Sequence, residues 1–475
     1  MRTKRKGGNL MKCWGIGAVA MGLAMGLALT TKQPVSAVGR EQITTADLKQ
    51  KIDQMSSDEQ IGQLFVSHVP ATTAQARADV AKYHLGGLVL FGRDFQAGSA
   101  ETLKQTIDGY QAAAKVPLLI ATDQEGGTVS RLSDSPSYQN TNFPSPQDAY
   151  EAGGMSSVLY QAKLTAQALK YVGVNWNFAP IADVATSSSN YIYDRTFGKD
   201  YQQTADYIKQ VVPVMQQQGV GATLKHFPGY GSAGDTHTGF AKTSTPYAEL
   251  AKKDLLPFKA GIDAGVDGIM VTHIVMQAID DTYPASLSHK VITGVLRQKL
   301  GYQGVIITDG LEMGAIGQFK RAHNIASIDV LALQAGDDAL LAEDYATQIP
   351  AIKAAIKAHH LTTEQIKAAD LHLLQLKNKL GLLKADDYIQ PKLQLSQYQL
   401  QKKSATASVQ VTMPGVKANT KLNVYAKHQL VGTLKLPKSG ELAMKVSRTQ
   451  KVQKLTFKMA GHEFDQHLWI AARAN

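Results

Sequence analysis

Short apolar runs alternate with longer amphipathic segments eight times between residues 60 and 343. Each run is apolar without strict alternation, which is typical of strands buried on both faces of a parallel sheet. Most intervening segments are long enough for a crossover helix, as in residues 205–218, where apolar residues recur at helical spacing. The eight runs are GQLFVSH (62–68), GGLVLF (86–91), PLLIATD (117–123), VNWNFAPIADV (174–184), GVGATLKHF (219–227), GVDGIMVTH (265–273), GVIITD (304–309) and DDALLAE (337–343).

This pattern predicts an α/β fold of the (β/α)₈ barrel type, because eight β/α units in about 280 residues fit such a barrel. A doubly wound sheet would need a glycine-rich phosphate loop after an early strand. Neither GxGxxG nor GxxxxGK[ST] occurs in the chain. After Pro391 the pattern changes to alternating runs separated by PG, KSG and AG, which predicts a small C-terminal all-β module of sandwich or barrel type.

Polar side chains stand in the last positions of several otherwise apolar runs. Burial of such a group without a partner is costly, so loop polarity alone explains them poorly. In a barrel the carboxyl ends of all strands meet on one face, where catalysis takes place. We therefore expect one cluster formed by Asp123, Asp183, Lys225, His226, His273 and Asp309.

The segment after the fifth run combines a tight turn with an Asp-x-His pair. KHFPGYG (225–231) leads into the glycine-rich SAGDTHTG (232–239), which carries Asp235 and His237. An aspartate that accepts a hydrogen bond from one imidazole nitrogen fixes the tautomer and raises the basicity of the other nitrogen. An isolated DxH is more often a turn-capping Asp beside a solvated His, but its place beside the KHFPG strand favours a catalytic dyad.

Several of these side chains allow more than one interpretation. Asp309 is suited to act as nucleophile, general base or metal ligand, although no HExxH-like pattern accompanies it. Asp123 either accepts sugar hydroxyls or forms a structural ion pair with Arg131. Arg195, in YDRTFG, either clamps a substrate or orders its own loop.

Four motifs in one order make a specific resemblance. They are TDQEGG followed by VSRL, NFAPIADV followed by DRTFG, KHFPGYG followed by GDTHTG, and ITDGLEM. Together they resemble glycoside hydrolase family 3, and more narrowly its β-N-acetylhexosaminidase branch. The resemblance covers roughly residues 45–385.

The resemblance implies a retaining β-glycosidase that uses no metal and no organic cofactor. It implies that Asp309 is the nucleophile and that His237, oriented by Asp235, is the general acid/base, in place of the second carboxylate usual in glycosidases. It also implies a carbohydrate substrate containing GlcNAc. Because a histidine that acts as base carries no negative charge and does not repel phosphate, transfer to phosphate is a second possibility. The implied sugar-binding positions are Asp123, Arg131, Arg195, Lys225, His226 and His273.

Two other functions compete with this interpretation. Family members that cleave β-glucosides or β-xylosides commonly take their acid/base from a large second α/β domain, and only 85 residues follow position 390 here. A non-catalytic wall-binding protein on a decayed barrel is the other alternative, and the intact Asp309, Asp235 and His237 argue against it. We expect the catalytic barrel to comprise residues 38–390, between the N-terminal segment and the change of pattern after that residue.

The N-terminus has the pattern of an export signal. Basic residues precede a 17-residue apolar stretch, residues 13–29, and Val35 and Ala37 occupy the −3 and −1 positions of a cleavage site. We expect residues 1–37 to be a signal peptide and the protein to be secreted, in preference to an uncleaved anchor. The single cysteine, Cys13, precedes that site, so the mature chain would lack a thiol and any Cys-based chemistry.

The net charge of +11 is unevenly distributed. Residues 1–37 carry six Lys/Arg and no acid, residues 38–390 carry 30 basic and 36 acidic residues, and residues 391–475 carry 14 and three. The mildly acidic barrel argues against nucleic-acid binding. The basic module at 391–475 could hold an anionic cell-wall polymer, although lysines on edge strands also serve to prevent aggregation.

Overall fold

The structure is a computed structural model that describes residues 42–96, 98–231, 233–388, 394–397, 406–413, 416, 419–437, 439–447, 453–459, 462–463 and 468–470. The predicted signal peptide lies outside the described residues. In the described part of the chain, no helix combines the length and apolarity needed to cross a membrane.

Eight parallel strands form the predicted barrel sheet, and each predicted apolar run contributes one of them. Neighbours in sequence are neighbours in the sheet, from the first strand to the eighth. Backbone hydrogen bonds join the eighth strand to the first strand on one side and to the seventh on the other. The Leu340 N–H donates to the Leu64 carbonyl, and the Thr308 N–H donates to the Ala339 carbonyl at 3.2 Å. The barrel strands, first to eighth, are Phe65–His68, Gly87–Leu90, Leu119–Thr122, Trp176–Asn177, Gly221–Phe227, Gly268–Val271, Val305–Thr308 and Leu340–Leu341. The expected (β/α)₈ fold is confirmed.

A helix follows every barrel strand. The expected helix at 205–218 is Tyr201–Gln216, which begins where the Asp200 side chain accepts a hydrogen bond from the Gln203 N–H. The other helices are Thr45–Gln54, Ser57–Gln63, Thr73–Tyr83, Gly92–Phe95, Ala100–Ala113, Pro146–Val172, Tyr247–Leu250, Leu255–Asp263, the π-helix Lys290–Lys299, Gly314–Ala322, Ile328–Ala335, Tyr345–Lys357, Thr363–Lys379 and Ala385–Tyr388. Short 3₁₀ turns lie at Leu132–Asp134, Tyr193–Arg195 and Ala285–Leu287. Minor strands lie at Gln124–Gly126, Val129–Ser130, Lys242–Thr243 and Val275–Met276.

The large side chain of Trp176 is fully buried in the barrel interior. A Cβ atom on Gly221 or Gly268, in the next two strands, would lie 3.0 Å from the indole. Asn177, the last residue of the same strand, donates to the Gln124 carbonyl and accepts from the Gln124 N–H, both at 3.0 Å. The fourth strand therefore fixes the backbone that follows the third strand, where Asp123 lies.

The alternating runs of the C-terminal region form antiparallel strands, as expected. One sheet joins Gln394–Gln397, Thr406–Thr412 and Glu441–Ser447. The other joins Gln429–Leu436, Thr420–Ala426, Gln453–Met459, His462–Glu463 and Leu468–Ile470. A separate apolar core containing Val411, Leu422 and Phe457 holds this module together.

Candidate active site

Asp309 directly follows the seventh barrel strand. Its N–H continues the ladder by donating to the Val271 carbonyl at 3.0 Å. Its carboxylate Oδ1 accepts from the Gly310 N–H at 2.8 Å. Burial alone would raise the pKa of Asp309, but electrostatic interactions with the nearby His226 and His273 rings, the hydrogen bond from Gly310 and the charge of Lys225 hold it below its ordinary value. Asp309 is thus a half-buried carboxylate that remains ionised at neutral pH.

His273, at the end of the sixth strand, supports the turn after Asp309. Its Nε2 donates to the Gly310 carbonyl at 2.8 Å, so its Nδ1 accepts from the Ser286 hydroxyl at 2.7 Å. Burial lowers the pKa of His273, which agrees with this neutral tautomer. Both ring nitrogens have protein partners, and its contact with a sugar remains a prediction.

Lys225, in the fifth barrel strand, lies at the centre of a network of charged side chains at the barrel mouth. Its Nζ donates to Asp123 Oδ1 at 2.5 Å and to Glu125 Oε1 at 2.7 Å. Arg195 forms a bidentate pair with Glu125, at 2.9 Å and 2.8 Å. Two carboxylates and two cations thus alternate. Among the described residues, Lys225 Nζ has these two acceptors for its three hydrogens.

Glu125 was not among the sequence-predicted residues. Burial alone would raise its pKa, but Lys225 and Arg195 outweigh that effect and lower it to about 2. The bidentate pairing of Arg195 with Glu125 ties its loop to the barrel, as the loop-ordering alternative expects, and a contact of Arg195 with a substrate remains a prediction. The signal in the sequence was slight: Glu125 stands two residues after Asp123, in a turn already explained by its two glycines.

His226 is also held by a carboxylate that sequence reasoning did not assign to it. Asp183, which is fully buried, contacts Nδ1 at 2.7 Å, and it accepts from the N–H groups of His226 and Tyr230. The Nδ1 hydrogen therefore points at Asp183. Nε2 remains as the nitrogen without a protein partner in the described chain, and it is suited to accept a hydroxyl hydrogen.

Arg131 does not pair with Asp123, so the alternative of a structural ion pair between them is wrong. Asp123 is paired with Lys225 instead. The Arg131 guanidinium lies 5.7 Å from the centre of the Phe91 ring, and its buried Nε has no hydrogen-bond partner in the structure. This donor is consistent with a ligand-binding position, which remains a prediction.

The expected hydrogen bond between Asp235 and His237 is present. Asp235 Oδ1 lies 2.7 Å from His237 Nδ1 and also accepts from the His237 N–H at 2.9 Å. The imidazole is well exposed, with 57% of its side chain accessible. Since Nδ1 faces the carboxylate, Nε2 is the nitrogen that can exchange protons with a ligand.

Backbone contacts dock the loop carrying this dyad beside Asp309. The first N–H groups of helix Gly314–Ala322, which follows Asp309, bond to the loop: Gly314 donates to the His237 carbonyl and Ala315 to the Thr236 carbonyl. The buried Thr236 is also held by the Tyr230 hydroxyl at 2.8 Å. The segment 309–315 therefore carries the nucleophile candidate, Asp309, and also holds the loop of the acid/base candidate, His237.

The structure thus brings all nine predicted residues to the carboxyl ends of the barrel strands or the loops that leave them. It combines an ionised carboxylate, a carboxylate-held imidazole and a polar wall of alternating charges. In the described residues, no group of three or more His, Cys, Asp or Glu side chains has the arrangement of a metal site. A barrel with this site has the features of a glycoside hydrolase.

The comparisons with known proteins agree. Residues 56–376 match the model of the glycosyl hydrolase family 3 N-terminal domain. The chain therefore belongs to glycosyl hydrolase family 3, and the resemblance predicted from its motifs is confirmed.

Named relatives belong to the expected branch of this family. A beta-hexosaminidase of Xanthomonas campestris is 34% identical over 268 residues, which cover 54% of this chain and 80% of the relative. A β-N-acetylglucosaminidase structure from Paenibacillus has a TM-score of 0.63 and 30% identity, covering 69% of this chain. The match spans 63% of that enzyme's own length. A family 3 structure from Mycobacterium smegmatis, at 30% identity and a TM-score of 0.60, is covered over 98% of its length and 68% of this chain.

Proposed function

We propose that this protein is a retaining β-N-acetylhexosaminidase that removes terminal β-linked GlcNAc from glycans. The observation that carries the proposal is the Asp235–His237 pair, docked on the helix that follows Asp309. The beta-hexosaminidase relatives support the sugar specificity. A β-glucosidase, a β-xylosidase and a non-catalytic wall-binding protein remain the alternatives that the experiment below separates.

In the first step the Asp309 carboxylate attacks the anomeric carbon, and the bond to the departing oxygen breaks. His237 Nε2 gives its proton to that oxygen, and a covalent glycosyl-enzyme results. In the second step the same nitrogen takes a proton from water, which attacks the anomeric carbon and releases Asp309. The low pKa of Asp309 keeps the nucleophile charged, and Asp235 stabilises each imidazolium that forms.

The charged and polar side chains around Lys225 would hold the sugar ring. Lys225 and Arg195 supply donors, Asp123 supplies a free carboxylate oxygen, and His226 Nε2 supplies an acceptor. Because these groups are fixed by Glu125 and Asp183, little side-chain entropy is lost when a sugar binds. Such preorganisation favours one orientation of the anomeric carbon toward Asp309.

We also propose that the enzyme is secreted and acts on peptidoglycan-derived or chitin-like glycans. The N-terminal basic and apolar pattern supports export. Residues 391–475 contain 14 basic and three acidic residues, and this positive net charge supports attraction to an anionic wall polymer.

The test is hydrolysis of p-nitrophenyl β-glycosides of GlcNAc, glucose and xylose, with Asp309→Ala and His237→Ala beside the unchanged chain. We expect turnover of the GlcNAc derivative, none by Asp309→Ala, and a loss in His237→Ala that is largest for poor leaving groups. Good turnover of the glucoside alone would overturn the specificity. A folded protein inactive on every glycoside would support a binding role. Sugar phosphate formed in phosphate buffer would indicate phosphorolysis.

A further inference from the structure

Tyr191 lies beside the proposed acid/base although it belongs to another loop. It stands in the segment after the fourth barrel strand, four residues before Arg195. Its ring centre lies 6.4 Å from that of His237 and 6.0 Å from that of Tyr230. Tyr191 is nevertheless 46% exposed, so the barrel core does not account for its position.

The phenol hydroxyl of Tyr191 lies beside the hydrogen-bonded pair of Asp235 and His237. It lies 3.5 Å from His237 Nδ1, but the hydrogen of that nitrogen is directed at Asp235. The hydroxyl therefore adjoins the hydrogen bond between Asp235 and His237, and its interaction with the Asp235 carboxylate is one of the effects that lower the pKa of Asp235. The phenol also interacts with Arg195.

We propose that Tyr191 is a positioning residue that holds the Asp235–His237 pair in place through its hydroxyl. Tyr191 thus interacts both with Arg195, which Glu125 holds, and with the Asp235–His237 pair. It ties the acid/base loop to the sugar-binding wall. The inference rests on the proposed role of His237 as acid/base and deepens it.

The exposure of the dyad explains why such a tie is needed. The Asp235 and His237 side chains are 27% and 57% exposed, so neither is packed in one orientation. The backbone contacts to Gly314 and Ala315 fix the loop but not the two side chains beyond it. A hydroxyl from a second loop restricts the Asp235 carboxylate and, through it, the direction of His237 Nε2.

The test is Tyr191→Phe, which keeps the ring and removes the hydroxyl. Two substrates are compared by kcat/KM, which reports the first bond-breaking step: phenyl β-GlcNAc, a poor leaving group, and 2,4-dinitrophenyl β-GlcNAc, an activated one. Since only the poor leaving group needs the proton from His237, we expect its kcat/KM to fall about tenfold, as for one lost hydrogen bond, with the activated substrate nearly unchanged. Tyr160→Phe, at an exposed tyrosine of helix Pro146–Val172, is the matched control and should leave both values unchanged.

Equal losses on both substrates, or no loss on either, would overturn the role of Tyr191. His237→Ala, measured in the same way, separates the two proposals. A leaving-group effect in His237→Ala without one in Tyr191→Phe would refute the positioning role alone. If His237→Ala itself slowed both substrates equally, the acid role of His237 would be refuted, and the proposed function would be refuted with it.

Discussion

Glu125 shows at the residue scale how a buried charge can shape a site without touching the reaction. Its carboxylate separates two cations that would otherwise repel each other, Lys225 and Arg195. These three side chains come from positions up to 100 residues apart. Local sequence pattern could indicate that charged residues gather at strand ends, as it did for Lys225. It could not indicate which carboxylate pairs with which cation, because those partners are chosen by the folded barrel.

We predict that Glu125→Gln lowers the free energy of unfolding by about 3–5 kcal/mol, as is usual when one partner of a buried ion pair is removed. The amide leaves Lys225 and Arg195 without a counter-charge at this position. Urea denaturation at pH 7 measures the loss. Glu249→Gln is the control, because the pair of Glu249 with Lys253 lies at the protein surface and should contribute less than about 1 kcal/mol. A Glu125 variant as stable as this control would show that the network is not structurally important.

The same network has a pH signature. The pKa of Glu125 is about 2 in the fold, below its ordinary value of 4.5. A depressed carboxyl pKa stabilises the fold above pH 4.5, and the contribution is lost as pH falls from there toward 2. The unchanged chain should therefore lose stability more steeply in this range than Glu125→Gln does.

At the element scale, the apolar runs located every barrel strand but overestimated the length of several, most of all that of the fourth. The run at 174–184 forms only two ladder residues, Trp176–Asn177, before an isolated pairing of Ile181 with Lys225. Pro180 lies between them and has no N–H to donate to a ladder. Hydrophobicity marked the whole run as buried, which is correct for nearly all of it. Backbone hydrogen bonding, not burial, decides where the strand ends.

Helix Gly314–Ala322 leads to a prediction about loop docking. A Cβ on Gly314 would lie 2.5 Å from the His237 carbonyl oxygen, which is too close for the loop to remain where it is. Gly314→Ala should therefore displace His237 and lower kcat/KM for phenyl β-GlcNAc by about 10²-fold, as expected for a misplacement near 1 Å.

Gly317→Ala in the same helix is the matched control. Its Cβ would meet nothing closer than the Arg321 side chain, at 3.4 Å. Because alanine favours the helix over glycine, this variant should gain up to about 1 kcal/mol of stability with unchanged kinetics. If Gly314→Ala were as active as Gly317→Ala, docking of the loop on this helix would not matter for catalysis.

At the scale of the whole molecule, charge is divided between two regions. The segment 38–390 has six more acids than bases, whereas 391–475 has eleven more bases than acids. The structure adds a local feature that composition could not show. Lys421 and Lys435 lie directly opposite each other on neighbouring antiparallel strands, and both are exposed. Like charges placed opposite each other cost stability, so this pair is an unfavourable arrangement for the fold alone.

An anionic polymer would relieve that repulsion, and this gives the last prediction. The double variant Lys421→Glu/Lys435→Glu should be retained less than the unchanged chain on an immobilised wall teichoic acid at low salt. The two proteins should converge as added salt screens the attraction. Hydrolysis of p-nitrophenyl β-GlcNAc should be equal for both. The matched control is Lys163→Glu/Lys209→Glu, an equal change of charge at exposed positions on barrel helices. If the control lost as much retention as the module variant, attraction would depend on net charge alone and the proposed wall-binding role of the module would fail.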